Sequence, residues 1–465
     1  MKLIEPKVTP PLDPGFRPAS LANRQFLEEV RASGKAVPLR IALERERGRV
    51  SLFDTEVFGE GAAEFEDNLQ YVERLVKTLL WARGGWRVVV GGPAQVGEYI
   101  KEMYSPGGAR SFDYDFMGRQ VYEKSFTVEV TDADSVPEER EASVSLGRHL
   151  EGCRIGLDLG ASDRKVSAVI DGEAVFAEEV VWDPKPQRNP LYHYHQIMSA
   201  LHWAAAFMPR VDAIGVSSAG IYIDNRVRVA SLFRGVPEDI YDPQVTDLFL
   251  RVRDAWGCPL EVANDGDVTA LAGAMNLEDN GVLGIAMGSS EAGGYVDDAG
   301  NITGWLNELA FVPVDFSPQA PVDEWSGDLG CGVQYFSQEC VARLAPAAQM
   351  GIDPSKPKPE QLVDVQEAMA AGDERAALIY ETIGVYLGYA LAYYYDFYKP
   401  RHVLILGRVT TGEGGRVILN RAKDVLRKEF PEIGESIALH MPEKEEEKRV
   451  GQAIAAASLP ALGGN

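Results

Sequence analysis

Residues 263–271 read Ala263-Asn264-Asp265-Gly266-Asp267-Val268-Thr269-Ala270-Leu271 and follow the short apolar run Pro259-Leu260-Glu261-Val262. Small and apolar residues recur at helical spacing after this corner, so the pattern predicts that a strand ends and a helix begins here. Asn264 and Asp265 suit the first turn of a helix, because their side chains accept hydrogen bonds from its free N–H groups. The same corner is where α/β proteins present chemistry, at the carboxyl end of a strand. Taken alone, it supports both a capped helix and a functional site.

The composition limits what kind of protein this is. The chain has 465 residues, 45% hydrophobic and 25% charged, which is typical of a soluble globular protein with two or three domains. A formal net charge of −24 disfavours a nucleic-acid partner, since a phosphate backbone attracts basic surfaces. Four scattered cysteines without a CxxC pair fit free thiols in a reducing compartment. The first residues lack the apolar core of a signal peptide and no run is long enough to span a bilayer, so we expect a cytoplasmic protein with no membrane partner.

Strand-like and helical patterns alternate along the chain and predict an α/β architecture. The predicted strands are 39–43 and 50–53, joined as a hairpin, and 87–93, 126–130, 154–159, 165–170, 213–218, 283–287 and 402–407. The predicted helices are 65–79, 194–207, 376–395, 416–429 and 450–459. The order hairpin, helix, strand, helix occurs before residue 150 and again after it, which raises the hypothesis of a duplicated half-domain.

Three predicted strands end in glycine-containing turns, at Asp158 to Ser162, Gly288 to Gly294 and Gly407 to Gly415. Such turns hold phosphate groups through backbone N–H donors, without a dedicated cation. One glycine after a strand usually marks only a turn. Three in this order, with the Asn264-Asp265 corner between the first and the second, indicate a nucleotide-binding protein more specifically.

These segments together resemble the ROK-type sugar kinases of the actin/hexokinase/Hsp70 ATPase superfamily, over about residues 153–460. The resemblance rests on DLGASDRKVSAVID (158–171), IGVSSAGIYID (214–224), NDGDVTALAGA (264–274), MGSSEAGGYV (287–296), TGWLNELAFVPVD (303–315), AGDERAALIYETIGVYLGYALAYYYDFYKP (371–400) and VLILGRVTTGEGG (403–415). It implies an α/β, two-lobed actin-like ATPase (ribonuclease-H-like) fold with an N-terminal α/β extension. The implied division is an extended arm (1–24), an accessory α/β domain (25–150), a first ROK-like lobe (151–265) and a second ROK-like lobe with nucleotide-side elements (266–465).

The resemblance also implies roles for particular residues. Asp265 would be the catalytic base that takes the proton from a sugar hydroxyl, work that requires a carboxylate within hydrogen-bonding reach of one oxygen. Asn264 and Glu308 would hold other hydroxyls of the substrate. ATP and Mg²⁺ are the implied cofactors, and their proposed binding residues are Asp158, Gly160, Ser162, Gly288, Ser289 and Gly407. Asp158 would face the magnesium through water, because Mg²⁺ keeps several of its waters.

The sequence departs from the family at the sugar and zinc motifs. Phe311 stands where the family has a histidine, and Val333 replaces a glutamate, so the sugar pocket is predicted to be more apolar. The cysteine-rich zinc loop is reduced to Cys331, followed by Ser337 at the familiar distance. With one thiol and no histidine, no zinc and no other metal ligand is expected there. We therefore expect a substrate other than plain glucose.

Two further departures leave the activity open. Glu291 lies in the second glycine turn, and a carboxylate about 5 Å from a phosphate would oppose it by roughly 3 kcal/mol at an effective dielectric constant of ~20. Glu291 must then point away, meet Mg²⁺, or signal poor ATP binding. Arg408 replaces a glycine beside the nucleotide, where it can stack, cover a phosphate or obstruct the site. Two hypotheses remain: an ATP-dependent sugar kinase, or a sugar- or nucleotide-binding regulatory pseudokinase without turnover. A homodimer is expected in either case, and residues 1–150 can form a lid, a dimerisation module or a degenerate repeat.

Overall fold

A computed structural model describes residues 1–141, 146–441 and 445–462. The chain forms two compact units. Unit 1 comprises residues 1–142, 285–293 and 305–440, and unit 2 comprises residues 143–284, 294–304 and 441–465. The four-part division that the sequence resemblance implies stays a prediction.

The helices are α1 (Ala19–Ala32), α2 (Asp67–Arg83), α3 (Ala94–Met103), α4 (Ser111–Asp115), α5 (Pro190–Ala205), α6 (Glu238–Tyr241), α7 (Leu248–Trp256), α8 (Asp265–Leu277), α9 (Gln338–Ala347), α10 (Lys358–Ala370), α11 (Glu374–Tyr398), α12 (Glu413–Glu429), α13 (Pro431–Ser436) and α14 (Glu445–Ala457).

The strands are β1 (Ala36–Glu44), β2 (Val50–Phe58), β3 (Arg87–Gly91), β4 (Thr127–Thr131), β5 (Cys153–Leu159), β6 (Asp163–Ile170), β7 (Glu173–Val181), β8 (Ala213–Ser218), β9 (Ile221–Ile223), β10 (Arg226–Val229), β11 (Leu260–Asn264), β12 (Val282–Met287), β13 (Glu291–Val296), β14 (His402–Leu406) and β15 (Ala438–His440). The α/β architecture predicted from the alternating patterns is therefore confirmed.

Unit 2 is built on a five-stranded sheet with the order β11-β8-β5-β6-β7. Strands β5, β8 and β11 are parallel, while β6 and β7 continue the sheet as an antiparallel meander from β5. Gly156 of β5 lies opposite Gly215 of β8. A Cβ atom at either glycine would overlap the backbone of α14, at Ala453 and Ala456 respectively. These two glycines therefore let α14 pack directly against the sheet, as expected where a backbone approaches a strand closely.

The N-terminal part of unit 1 contains a four-stranded sheet with the order β2-β1-β3-β4. The predicted hairpin is confirmed, since β1 and β2 are antiparallel with Leu43 opposite Ser51. The hypothesis of a duplicated half-domain is wrong. In this sheet β1 pairs antiparallel with β3, whereas the corresponding strands of unit 2, β5 and β8, are parallel. A shared order of elements along the sequence does not fix strand direction, and here the two halves differ in topology.

Proline-rich residues at the start of unit 1 pack along α11. Val8 and Leu12 donate backbone hydrogen bonds to the side chains of Tyr389 and Thr382, at 3.2 Å each. The ring of Phe16 lies 4.8 Å from that of Tyr386, centroid to centroid, and Phe16 is 1% exposed. The extended conformation ends earlier than predicted, because α1 begins at Ala19.

The prediction of a loop over Gly288 to Gly294 is wrong for most of its length. The loop spans only residues 288–290, and strand β13 begins at Glu291 and includes both Gly293 and Gly294. A Cβ atom on Gly294 would overlap the backbone of Gly266, at the start of α8. The two glycines thus allow close backbone approach within a strand instead of forming a turn.

Within the described residues, α11 is the one helix long and apolar enough to cross a membrane by length and composition. In its most apolar stretch, 83% of the residues are buried inside the protein. Burial of this kind is typical of the core helix of a folded domain.

Candidate functional site

The carboxyl ends of three neighbouring strands bring the first group of predicted site residues together in unit 2. Asp158 of β5 lies opposite Ser217 of β8, and Asn264 of β11 lies opposite Ser218. Neighbouring strands are about 4.8 Å apart, so these side chains line one edge of the sheet within two strand spacings. Asp265 follows directly as the first residue of α8. The sheet therefore places Asp158, Asn264 and Asp265 side by side.

Asn264 serves as the cap of α8. Its side-chain oxygen accepts a hydrogen bond from the Gly266 N–H at 2.7 Å, and its side-chain N–H donates to the carbonyl of Gly220 at 2.8 Å. Both polar atoms thus bind the protein itself, while each keeps a second hydrogen-bonding position. The capped-helix interpretation is confirmed, and the contact with Gly220 ties the corner to the loop that follows β8.

Asp265 is partly buried at the start of α8. Burial, together with the negative charge of Asp158, raises the pKa of the Asp265 carboxyl from 3.8 to about 6. Two backbone-related hydrogen bonds oppose this shift, including one donated by Gly266 N–H at 3.1 Å. A carboxylate in this state is charged at neutral pH and is a stronger base than an exposed aspartate.

Asp158 is held between a hydroxyl and an ammonium group. Ser217 Oγ donates to one carboxylate oxygen at 2.8 Å, and Lys165 Nζ lies 3.4 Å from the other. The same ammonium lies 3.1 Å from Asp163. Burial lowers the pKa of Lys165, but the carboxylates of Asp158 and Asp163 outweigh it, so the pKa lies above its ordinary value. Lys165 therefore stays charged and balances the negative charge of this edge.

The turn between β5 and β6 contains the next two predicted residues. Gly160 N–H donates to the carbonyl of Asp163 at 3.0 Å, and the Gly160 carbonyl accepts from the Trp182 indole at 2.8 Å. Ser162 is exposed and its hydroxyl donates to Asp163 at 2.9 Å. The turn is fixed by its own hydrogen bonds next to Asp158.

Gly288, Ser289 and Gly407 lie in unit 1. Gly288 follows β12 and its N–H donates to the Ser290 carbonyl at 2.9 Å, while Ser289 is exposed. Gly407 follows the neighbouring strand β14 with φ 107°, and a Cβ atom there would overlap the backbone of Met287. The second and third glycine turns therefore meet at the ends of adjacent strands, and only glycine fits at position 407.

Glu291 points into the interior of unit 1. It is 2% exposed, one oxygen accepts from the Tyr394 hydroxyl at 3.1 Å, and the other has no hydrogen-bond partner among the described residues. Burial raises the pKa of its carboxyl to about 8. Of the three alternatives for this residue, the structure supports the one in which the side chain points away from a phosphate. The carboxyl is also largely neutral at pH 7, which removes most of the expected repulsion.

Arg408 lies in the short 3-10 turn after Gly407, and its side chain is exposed. Its carbonyl accepts a hydrogen bond from the Gln366 amide at 2.8 Å. The backbone at this position is thus tied to α10, whereas the guanidinium faces solvent.

Glu308 lies in unit 1, just before a 3-10 turn that contains Phe311. Its backbone N–H donates to the Trp81 carbonyl at 3.0 Å, and its side chain is partly exposed. Phe311 is 6% exposed and its ring stacks on Trp81 with the centroids 4.0 Å apart. The aromatic ring of Phe311 is therefore used for packing against α2.

Cys331 and Ser337, where the resemblance would place a zinc motif, do not fit a metal. Cys331 is fully buried, and burial raises the pKa of its thiol to about 12, so it is not a thiolate. Ser337 caps α9, accepting from Glu339 N–H at 3.1 Å and donating to the Val333 carbonyl at 2.6 Å. In the part of the chain that the structure describes, no group of three or more His, Cys, Asp or Glu side chains is arranged to hold a metal ion.

Two polar residues at this edge of the sheet were not singled out from the sequence, Lys165 and Ser217. What identifies these two residues as part of the site is the pairing of β5 with β6 and β8. Once the β5–β6 turn is centred on residues 160–162, Lys165 falls opposite Asp158, and the parallel register places Ser217 on the other side. The motif alone contains no information on that register.

Comparisons with known proteins support one type of fold. A ROK hexokinase from Thermus thermophilus is similar in structure with a TM-score of 0.51 and 20% sequence identity, over 65% of this chain and 97% of the hexokinase. A ROK family transcriptional regulator, a homologue of the E. coli MLC protein, is similar with a TM-score of 0.52 and 19% identity, over 67% of this chain and 79% of the regulator. No protein-family model and no curated protein matches the sequence. The chain therefore has a divergent ROK-type fold.

Proposed function

We propose that this protein is a divergent ROK-like kinase that transfers a phosphoryl group from ATP to a hydroxyl of a sugar or sugar-like molecule. The observation that carries the proposal is the state of Asp265, a partly buried carboxylate with a pKa of about 6. It stands at the start of a capped helix, beside a second carboxylate at the ends of parallel strands. The similarity to the Thermus thermophilus hexokinase supports the same reaction class.

In this proposal Asp265 is the catalytic base. A sugar hydroxyl hydrogen-bonded to its carboxylate would lose the proton to it as the oxygen forms a bond to the terminal phosphorus of ATP. The bond between that phosphorus and the bridging oxygen would break, and ADP would leave. A base with a raised pKa accepts a proton more readily while remaining ionised above pH 6, so its pKa suits physiological pH. Asn264 and Glu308 are proposed to hold further hydroxyls of the substrate, and each polar atom of the Asn264 side chain keeps a second hydrogen-bonding position for this.

The phosphate side is proposed to use the glycine turns. Around Gly160 and Ser162 in unit 2, and Gly288, Ser289 and Gly407 in unit 1, the missing glycine side chains would let phosphate oxygens approach the backbone, and the serine hydroxyls would donate to them. The N–H groups of Gly160 and Gly288 already donate within their own turns, so they are not the proposed phosphate donors. Asp158 is a partly exposed oxygen ligand of the kind that Mg²⁺ prefers, so it fits a magnesium held through water. When bound, that cation would neutralise charge on the phosphates. Lys165 and Ser217 orient Asp158 for this contact.

We propose a ribonuclease-H-like fold for the part of the chain that presents Asp158 and Asn264. The strand order β11-β8-β5-β6-β7 of unit 2 supports this finer description of the fold. The four cysteines are free thiols, which agrees with a cytoplasmic, reducing environment. A homodimer with a small sugar as its ligand remains part of the proposal.

The alternative is a non-catalytic protein that binds a sugar or nucleotide and regulates a partner. The similarity to a ROK transcriptional regulator is the observation that favours it. The exposed Arg408 next to Gly407 is compatible with either function.

The two functions separate in one assay. Purified protein is mixed with ATP, Mg²⁺ and a panel of hexoses and N-acetylhexosamines, and ADP release is followed. We expect turnover with at least one sugar and a loss of about 10²–10⁴ in rate in Asp265→Asn, the size expected for a missing general base. Asp254→Asn, a change at an exposed aspartate of unit 2, is the matched control and should keep full activity. No turnover, with no change in melting temperature on adding ATP, would instead support the regulatory protein.

A further inference from the structure

The last turn of α2 binds the backbone that carries Glu308. The N–H groups of Asn307 and Glu308 donate to the carbonyls of Ala82 and Trp81, at 2.9 and 3.0 Å. Carbonyls in the last turn of a helix have no partner within the helix, so these bonds use acceptors that would otherwise stay unsatisfied. Asn307 adopts a left-handed backbone conformation with φ 53° and is 1% exposed. The segment therefore follows a specific path dictated by α2.

Side chains on both sides reinforce this path. The Trp81 ring stacks on Phe311, three residues after Glu308, and its indole N–H donates to Asp113 at 2.7 Å. The Tyr398 hydroxyl donates to the Asn307 side chain at 3.0 Å. Glu308 thus sits between two residues whose positions are set by buried contacts.

A buried ionic cluster fixes the far end of the same segment. The cluster consists of Glu73, Arg74 and Lys77 of α2, together with Arg110, Asp113 and Asp328. Asp328 lies 3.2 Å from Arg74, 2.8 Å from Arg110 and 3.7 Å from Lys77. The side chains of Lys77, Asp113 and Asp328 are 0%, 2% and 6% exposed. Three cations face three carboxylates, so the cluster is formally neutral.

The neutrality of the ionic cluster decides how strongly it holds the segment. Removing one partner of a buried ion pair is strongly destabilising, because the remaining charge stays buried without compensation. Asp328 contributes its carboxylate to three cations, so displacement of the segment around it would leave all three short of a partner. Residues 307–328 are consequently tied to α2 at both ends, by backbone hydrogen bonds at one end and by ion pairs at the other.

We infer that α2 and the ionic cluster are the positioning elements of the substrate site, with Trp81, Lys77 and Asp328 fixing the backbone segment that carries Glu308, without a metal. This inference rests on the proposed function, in which Glu308 holds a substrate hydroxyl. It also gives residues 1–141 a role that the predicted accessory domain lacks. They form part of the substrate site's support, because α2 belongs to this region.

The test compares amide hydrogen exchange of the full-length protein and of Asp328→Asn, which keeps the shape of the side chain and removes its charge. We expect exchange at residues 307–308 to be at least ~10-fold faster in the variant, since local opening becomes easier. Asp328→Glu restores the charge and should recover most of the protection. Glu129→Gln removes an exposed ion pair with Arg87 in the same unit and should leave these amides unchanged. Treatment with EDTA should also leave them unchanged.

A second, milder variant covers the case in which Asp328→Asn does not fold. Trp81→Phe keeps a ring against Phe311 and removes the indole bond to Asp113, and the same amides should exchange faster by a smaller factor. Unchanged exchange at 307–308 in the folded variants, or faster exchange after EDTA, overturns the inference.

With a hexose that is turned over, Asp328→Asn should raise KM more than it lowers kcat, because the binding geometry is disturbed while the catalytic base is unchanged. A wild-type protein that turns over no hexose contradicts the proposed function, while the exchange data still decide whether α2 orders the segment.

Discussion

At the scale of single residues, the candidate site depends on the basicity of Asp265, which is greater than that of an ordinary exposed aspartate. Its pKa of about 6 arises from burial and from the neighbouring charge of Asp158. Neither cause is visible in the motif that contains it. The sequence predicts the residue and its role through a resemblance, and strand pairing supplies the environment that adjusts its basicity.

The pH dependence of catalysis follows from that pKa. A general base works only when ionised, so kcat/KM should rise about tenfold per pH unit below pH 6 and level off above it. The measurement is ADP release over pH 5 to 8.5 at low sugar concentration. The Asp254→Asn control should give the same profile. A flat profile across this range would mean that another group accepts the proton.

The same raised pKa means that ionised Asp265 destabilises the folded protein. Its pKa is raised from 3.8 to about 6, so the folded protein binds the proton more tightly than the unfolded chain. Stability is therefore lost as pH rises through this window, and the loss is complete above pH 6. We expect Asp265→Asn to increase the free energy of unfolding by roughly 1–3 kcal/mol at pH 7.5, after allowance for partial exposure. The gain should disappear as the pH approaches 4, which urea unfolding at several pH values measures. A variant less stable than wild type at pH 7.5 would contradict this prediction.

At the scale of elements, periodicity predicted the main pieces of the fold and failed where glycine served packing. The hairpin of β1 and β2 and the long helix α11 follow from alternating and helical apolar patterns. Strand β13 was missed because Gly293 and Gly294 resemble a turn. Their function is close backbone approach, which depends on a neighbour far away in sequence. The Lys165–Asp158 pair was missed for the same reason, since register is a tertiary property.

Substitution of Gly294 tests that explanation. A Cβ atom there would overlap the backbone of Gly266, one residue after Asp265. Gly294→Ala should therefore destabilise the protein by about 1–3 kcal/mol, as overpacking does, and lower the rate by displacing the start of α8. Gly351→Ala is the matched control, because a Cβ atom at that glycine meets open space. Chemical unfolding and ADP release measure the two effects. An unchanged rate in Gly294→Ala would show that α8 begins independently of β13.

At the scale of the whole molecule, the N-terminal region is less separable than its sequence suggests. Residues 1–142 fall in the same compact unit as residues 305–440. Composition shifts near residue 150 indicate a boundary, but contacts of the proline-rich start with α11 cross a sequence distance of more than 360 residues, as with Val8 and Tyr389. Such contacts leave no local pattern, so their existence could not be predicted.

Phe16 tests whether the proline-rich start belongs to the core. Its ring is buried against Tyr386, Tyr335 and Tyr389, with centroid distances of 4.8, 5.8 and 6.0 Å. Truncation of a buried phenylalanine typically costs about 3–5 kcal/mol, so Phe16→Ala should lower the free energy of unfolding by that amount. Lys2→Ala, at an exposed side chain of the same segment, should change it by less than ~0.5 kcal/mol. Equal stabilities of the two variants in urea would show that the segment is a detachable arm, and the tyrosine face of α11 would then be available for a second copy of the chain.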